Sequence, residues 1–389
     1  MPRNPDKIDY TGGLPESFCS FEIIEDPRTG GNRKHHFGAV LFICTTGLLC
    51  GMNSFADIED FAKLQRNWLE KWVELPNGVP RAQTFSNIFQ LIDPELFNRC
   101  LIAHLGTMNS ELRARIIAVD GKQLRGSHEL LKGAAHAVSA WSAQEGVTLA
   151  QKFVSEKSNE ITALPALLEM LDLEGSVVTL DAMGTQRAIA EQIIEQKGDY
   201  LLALKGNQGD THKEVVDHFD FALRQLDLNQ AEGWSHYREV DKSHGRHTVR
   251  TVLAATRLDG FDADLRARWR GLKSLVVVEC ETTDLSTGKK RKRERRYYLS
   301  SLEADAERFG YLIRSHWSIE NQCHWVLDVV FGEDHNRIRR KNAPKNFGTL
   351  LRIVLNILKN DQTLKGSLPK KRRHALLDMA YREKLLSLA

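Results

Sequence analysis

Two short apolar runs, Ile116-Ile117-Ala118-Val119 and Val177-Val178-Thr179-Leu180, each stop at an aspartate, Asp120 and Asp181. Runs this short and this rich in β-branched residues read as buried strands. The segments around them set the fold class. Alternating patterns at 135–143 and 146–154 read as a hairpin with Gln144-Glu145-Gly146 at its turn. A helix follows at 161–171, the second aspartate-ending strand at 176–181, a helix at 186–196 and a strand at 200–204. This order specifies an α/β fold, a mixed sheet with flanking helices. Parallel strands at 116–120 and 176–181 would bring Asp120 and Asp181 together at one sheet edge, where α/β folds place ligands.

Residues 1–113 read as a small helical domain, with helices at 37–51, 54–74, 82–93 and 94–108. Ser54, with Asp57 three residues later, is a plausible N-cap, and 76–80 is a Pro/Gly turn. After a helix at 209–229, the stretch 231–302 is β-rich, with strands expected at 235–240, 248–255, 274–283 and 291–301. One long helix at 304–330 then carries Glu320. The expected division is a helical domain (1–113), a core in two parts (114–230 and 303–360) split by the β-rich insertion (231–302), and a basic segment (361–389).

The apolar stretch 37–52 is too short to span a bilayer and holds Thr45, Thr46 and three glycines, so it reads as a buried helix. Residues 1–21 are polar and carry three prolines, unlike a secretory signal. The six cysteines form no C-x-x-C pair, which fits reduced thiols in the cytoplasm. The net charge of +3 is uneven: residues 331–389 hold 14 Lys and Arg against 5 Asp and Glu. A basic end on a mildly acidic body fits a polyanionic partner.

Two strand-end carboxylates and a third on a helix supply the hard oxygen ligands that a pair of Mg²⁺ ions needs. Such a pair can clamp both oxygens of a phosphoryl displacement. His316, Glu320 and His324 recur every four residues and share one helix face. An adjacent pair of them would also suit zinc, but the outer two lie about 12 Å apart by helix rise and cannot join one ion. The two histidines are expected to flank the carboxylate and to touch phosphate or support the metal's ligands from behind. Trp317 and Trp325 read as core anchors, with base stacking as the alternative.

Three segments carry a family resemblance: IIAVDGKQLRGS (116–127), VVTLDAMGTQ (177–186) with YLLALKGNQ (200–208), and IRSHWSIENQCHWVLDVVFGEDHNRIR (313–339). They resemble bacterial insertion-sequence DDE transposases, and among these the H-repeat-associated proteins found beside Rhs elements. The likeness extends to DPRTGGNRKHHFGAVL (26–41) and LPNGVPRAQTFSNIF (75–89). It implies a ribonuclease-H-like core interrupted by a β-rich insertion. It also implies that Asp120, Asp181 and Glu320 hold two Mg²⁺ ions, with Mn²⁺ as a substitute, to cut and join DNA strands. Related transposases carry tyrosine, arginine and lysine at offsets −7, −4 and +7 from the glutamate. Here those positions are Ile313, His316 and Leu327, with Tyr311 and Arg314 nearby but out of register.

The resemblance implies double-stranded DNA with terminal inverted repeats as partner, a homodimer on paired ends, and a cytoplasmic, nucleoid-associated bacterial protein. Candidate DNA contacts are Lys122, Arg125, Lys205, Asn207, His244, Arg246, His316, His324, Arg337, Arg339, Arg340 and Lys345, with the cluster 370–373. The basic run 289–296 reads as charge protecting a strand edge. Two alternatives stay open: a DNA-binding remnant without strand transfer, and a nuclease of the same fold acting on branched DNA.

Overall fold

The computed structural model describes residues 16–30, 33–108, 116–127, 134–154, 160–225, 231–243, 245–258 and 261–387. His244 lies outside the described residues.

Helix α1 (Phe37–Leu49) is apolar all round and, apart from Gly38, buried on every side, as such a sequence requires. In α2 (Phe55–Leu64) the Ser54 hydroxyl accepts from Asp57 N at 3.1 Å, which is the expected cap. The helix expected through 74 stops at Gln65, leaving α3 (Arg66–Leu69) as a single turn. Helices α4 (Ala82–Leu91) and α5 (Pro94–Met108) complete this part.

Next in chain order come β1 (Ile116–Gln123), β2 (His136–Ser142), β3 (Val147–Val154), α6 (Glu160–Leu168), β4 (Val177–Leu180), α7 (Arg187–Glu195) and β5 (Asp199–Leu204). They are followed by α8 (Gly209–Gln225), β6 (Trp234–Ser243), β7 (Arg246–Ala255), α9 (Ala263–Ala267), β8 (Ser274–Asp284) and β9 (Glu294–Ser300). All strands join one nine-stranded sheet, ordered β3-β2-β1-β4-β5-β9-β8-β7-β6. An antiparallel meander β1–β3, with β4 and β5 parallel to β1, is the ribonuclease-H-like arrangement.

The strands after 231 do not make a sheet of their own. β9 pairs antiparallel with the open side of β5, from Leu201 opposite Ser300 to Leu204 opposite Tyr297, so the core sheet continues outward. This covers an edge that would otherwise expose unpaired backbone groups. The run 289–296 was expected at a strand edge; it leads into β9, whose residues 297–300 lie between β5 and β8, while 294–296 pair with β8 alone and stay exposed on the other side.

Helix α10 (Ala306–His316) lays Phe309, Leu312 and Ile313 on the face built by Ile116, Val177, Leu201 and Val276. The single helix expected over 304–330 is interrupted. After Trp317 the chain winds into a wide π-type turn, Glu320–His324, before α11 (Trp325–Val329). Such one-turn insertions kink a helix and concentrate at functional sites.

Helices α12 (Ala343–Asn360), α13 (Leu368–Leu377) and α14 (Met379–Leu386) share one apolar cluster with the N-terminal helices, Phe42, Phe55 and Phe89 meeting Phe347, Leu351 and Leu385. Half of the cationic cluster 370–373 is therefore internal. Arg372 donates to Leu48 O at 2.9 Å, Val330 O at 2.6 Å and Asn53 Oδ1 at 2.6 Å, and Lys371 to Leu358 O at 2.8 Å. These two cations satisfy buried carbonyls, so they do not form part of a DNA-tracking surface.

Asn356 of α12 stands in for a missing strand neighbour of β3. Its Oδ1 accepts from Thr148 N and its Nδ2 donates to Thr148 O, both at 2.9 Å in buried surroundings. Asn356→Leu orphans both backbone groups and is expected to destabilise the protein by about 2–5 kcal/mol. Urea titration checks this; an unchanged midpoint would show that the groups find other partners.

Candidate active site

The register of β1 against β4 ends with Val119 opposite Leu180, so Asp120 and Asp181 come next on neighbouring parallel strands. Adjacent strands lie about 4.8 Å apart. Asp181 also does what a turn aspartate does: its Oδ1 accepts from Met183 N and Gly184 N, each at 3.1 Å. Two further bonds fasten that turn, Thr185 Oγ1 to Ala203 O and Asn207 Nδ2 to Ala182 O, both 2.6 Å. Asn207 is thus a brace for the Asp181 turn. Asp120 accepts from Gly121 N at 2.9 Å. Gly121 leaves room for the Glu160 carboxylate: a Cβ there would lie 2.4 Å from one of its oxygens, so that side chain would have to shift.

The wide turn after α10 presents Glu320 to the same place. Ligand atoms of Asp120, Glu320 and His324 all lie within 4.8 Å of one another. Asp181 lines the same cleft, a cavity of about 540 Å³ that also takes in Thr179, Lys205, His316, Trp317 and Arg296. The three expected carboxylates therefore share one cleft, with Asp120 between Asp181 on the next strand and Glu320 on the turn.

The two histidines differ in charge preference. Burial pushes the His324 imidazole down, but contacts with Asp120 and Cys323 outweigh it and carry it up to about 9. At 3.5 Å, His324 Nε2 and Asp120 Oδ2 form an ion pair rather than a well-formed hydrogen bond. Burial dominates at His316 and holds it below its ordinary value despite Asp120 and Asp181. His316 is fixed by a 2.9 Å contact between Nδ1 and Thr179 Oγ1. Burial works to raise the Asp120 carboxyl, and His324, then His316, bring it below its usual range.

Other expected DNA contacts scatter. Lys122 is 7% exposed and enclosed by Asp328 at 2.7 Å and by Glu333 and Asp334 at 3.2 Å. Lys205 is exposed at the cleft, Arg125 is exposed beside Asp334, and Arg246 is exposed at the β6–β7 turn. Arg337, Arg339 and Arg340 are exposed along a groove whose other wall is Phe55, Gln83 and Ser86. Lys345 is half-buried in the first turn of α12. Ile313 and Leu327 are core residues, and Tyr311 and Arg314 line a separate groove with Glu239. Of the three altered positions, Ile313 and His316 line the cleft and Leu327 does not, so His316 alone brings a polar group to it.

Sequence patterning missed Arg295, Arg296, Tyr298 and His212, which line the cleft. It also took Trp317 and Trp325 for core anchors, yet they are 47% and 54% exposed. The Arg296 guanidinium sits 5.4 Å from the Trp317 ring centroid. The available signal was a basic run leading into Tyr297-Tyr298, but only strand order brings it beside the carboxylates.

Residues 111–357 match the family described as "Transposase DDE domain", and residues 18–105 match "DDE_Tnp_1-associated". The chain belongs to the DDE transposase family. It is 38% identical to the H repeat-associated putative transposase YhhI of Escherichia coli K12, over 94% of this chain and 96% of that one. The putative protein YbfL of the same strain matches with the same identity and coverage. A solved piggyBac transposase synaptic complex with hairpin DNA aligns at 10% identity and a TM-score of 0.42, over 96% of this chain and 77% of that one, too loosely to support an argument. For a DDE transposase the clustered carboxylates fit the divalent-metal use that the family implies. Among the described residues, no helix is long and apolar enough to cross a membrane.

Proposed function

We propose that this DDE transposase cuts and joins DNA strands at the ends of a mobile element, at a two-metal centre held by Asp120, Asp181 and Glu320. The observation that carries this is the convergence of the three carboxylates on one cleft from two strand ends and a helical turn. The carboxylate set suits Mg²⁺, with Mn²⁺ as a substitute. When bound, the ions would supply Lewis acidity for activating the attacking hydroxyl and for neutralising the leaving oxygen. The chain's own groups orient the DNA: Lys205 and Arg296 offer charge at the rim, Trp317 offers an exposed ring, and Thr179 fixes His316 beside both aspartates.

Duplex leading to the cleft would follow Arg337, Arg339 and Arg340, with Arg125, Arg246, Lys345 and the N-terminal helices extending the track. In this proposal the DNA carries terminal inverted repeats, two ends are paired on a homodimer, and the protein works at the nucleoid. The functional division of the chain into an end-binding helical part, a catalytic core and a β-rich insertion belongs to the same proposal. The test is nicking of terminal-repeat DNA in Mg²⁺ by wild type and Asp181→Asn. Cleavage only by wild type supports the role of Asp181, and equal cleavage by both removes it. Binding without cleavage by wild type would favour a remnant, and cutting only at branched DNA would favour a nuclease.

Replacing Arg337, Arg339 and Arg340 together with alanine is expected to reduce the slope of log affinity against log salt by about 2.7, from about 0.9 per lost phosphate contact. Fluorescence anisotropy across a salt series reads this. An unchanged slope would place the duplex elsewhere.

A further inference from the structure

We propose that His324 is a direct metal ligand, so that Asp120, Glu320 and the imidazole of His324 together hold one of the two ions. This rests on the two-metal reading above and deepens it by naming a nitrogen donor at one ion. His324 is 3% exposed, and neither ring nitrogen has a hydrogen-bond partner within the protein. Burying ring nitrogens that lack a well-formed hydrogen bond is costly, so the site calls for something beyond the 3.5 Å ion pair with Asp120 to bind them. Its Nε2 faces Asp120 Oδ2 at 3.5 Å, longer than a histidine placed only to orient that carboxylate by hydrogen bonding would need.

One ring nitrogen of His324 belongs to the cluster in which donor atoms of Asp120, Glu320 and His324 come within 4.8 Å of one another. Asp181 is not in that cluster, and its Oδ1 is engaged in the turn bonds. The donor sets of the two ions therefore differ, with oxygen only toward Asp181 and mixed oxygen and nitrogen toward Glu320. The wide turn Glu320–His324 is the local feature that puts both donors of the mixed set on one face. A nitrogen donor suits Mn²⁺ better than Mg²⁺, which favours oxygen and water, so the mixed site should prefer Mn²⁺.

The probe is Mn²⁺ added to the full-length protein without DNA, followed by electron paramagnetic resonance. Binding gives the affinity, and pulsed spectra report any ¹⁴N coupled to the ion. Wild type and His316→Gln should show nitrogen coupling. His324→Gln should lose it and bind Mn²⁺ about tenfold or more weakly. Mn²⁺ bound to wild type without nitrogen coupling would overturn the His324 ligand and leave the carboxylate centre standing. Coupling that survives in His324→Gln would also overturn it. No Mn²⁺ binding to wild type, or binding that Glu320→Gln leaves unchanged, would remove the two-metal reading as well. Because the wild-type spectrum decides by itself, a poorly folded variant does not protect the proposal.

Discussion

Asp120→Asn is expected to slow single-turnover cleavage of a terminal-repeat duplex by about a thousandfold or more, with DNA affinity unchanged. Asp120 lies between Asp181 and Glu320, so it is the carboxylate that both ions would share. Metal ions contribute several kcal/mol of charge stabilisation in phosphoryl transfer, and about 4 kcal/mol is three decades in rate. Asparagine keeps the shape and the bond from Gly121 N, so the fold should survive. A rim variant such as Lys205→Ala should behave in the opposite way, weakening binding while leaving cleavage at saturating DNA near wild type. Cleavage by Asp120→Asn within tenfold of wild type would separate Asp120 from the chemistry.

Lys122→Met is expected to destabilise the protein by about 3–5 kcal/mol, the usual result of removing one partner from a buried charge network. Without the ammonium, Asp328, Glu333 and Asp334 face one another with Arg352, fully buried and 2.8 Å from Glu333, and the exposed Arg125, 3.7 Å from Asp334, as the remaining cations. Lys122 is two residues from Asp120, and its partners lie in and just beyond α11, so the network ties the first aspartate's strand to the segment that follows Glu320. A lysine serving only as a phosphate contact would lower DNA affinity and leave stability alone. Denaturant titration beside DNA binding separates the two roles.

The core was largely legible because its signals are local. Apolar runs ending at Asp120 and Asp181, a hairpin marked at Gln144-Glu145-Gly146, and intervening helical periods determine the order β1 to β5. The carboxylate set followed from that order together with the family motifs. Illegible features depended on distant pairing. Nothing near residue 294 announces that β9 will cover β5, so Arg295 and Arg296 read as edge charges although they line the cleft. Nothing in the basic pattern at 370–373 distinguishes Lys371 and Arg372, which cap buried carbonyls, from their outward-facing neighbours. The break after Trp317 was hidden for another reason: helical periodicity continues through it, and a single wide turn shifts the side-chain phase too little to show in a sequence window.

The most direct test of the two-metal centre is the anomalous diffraction of Mn²⁺ in crystals of the protein bound to an uncleaved element end. Two ions sharing Asp120 are expected, one also held by Asp181 and the other by Glu320. A single ion, or ions held without Asp181 or Glu320, would contradict it.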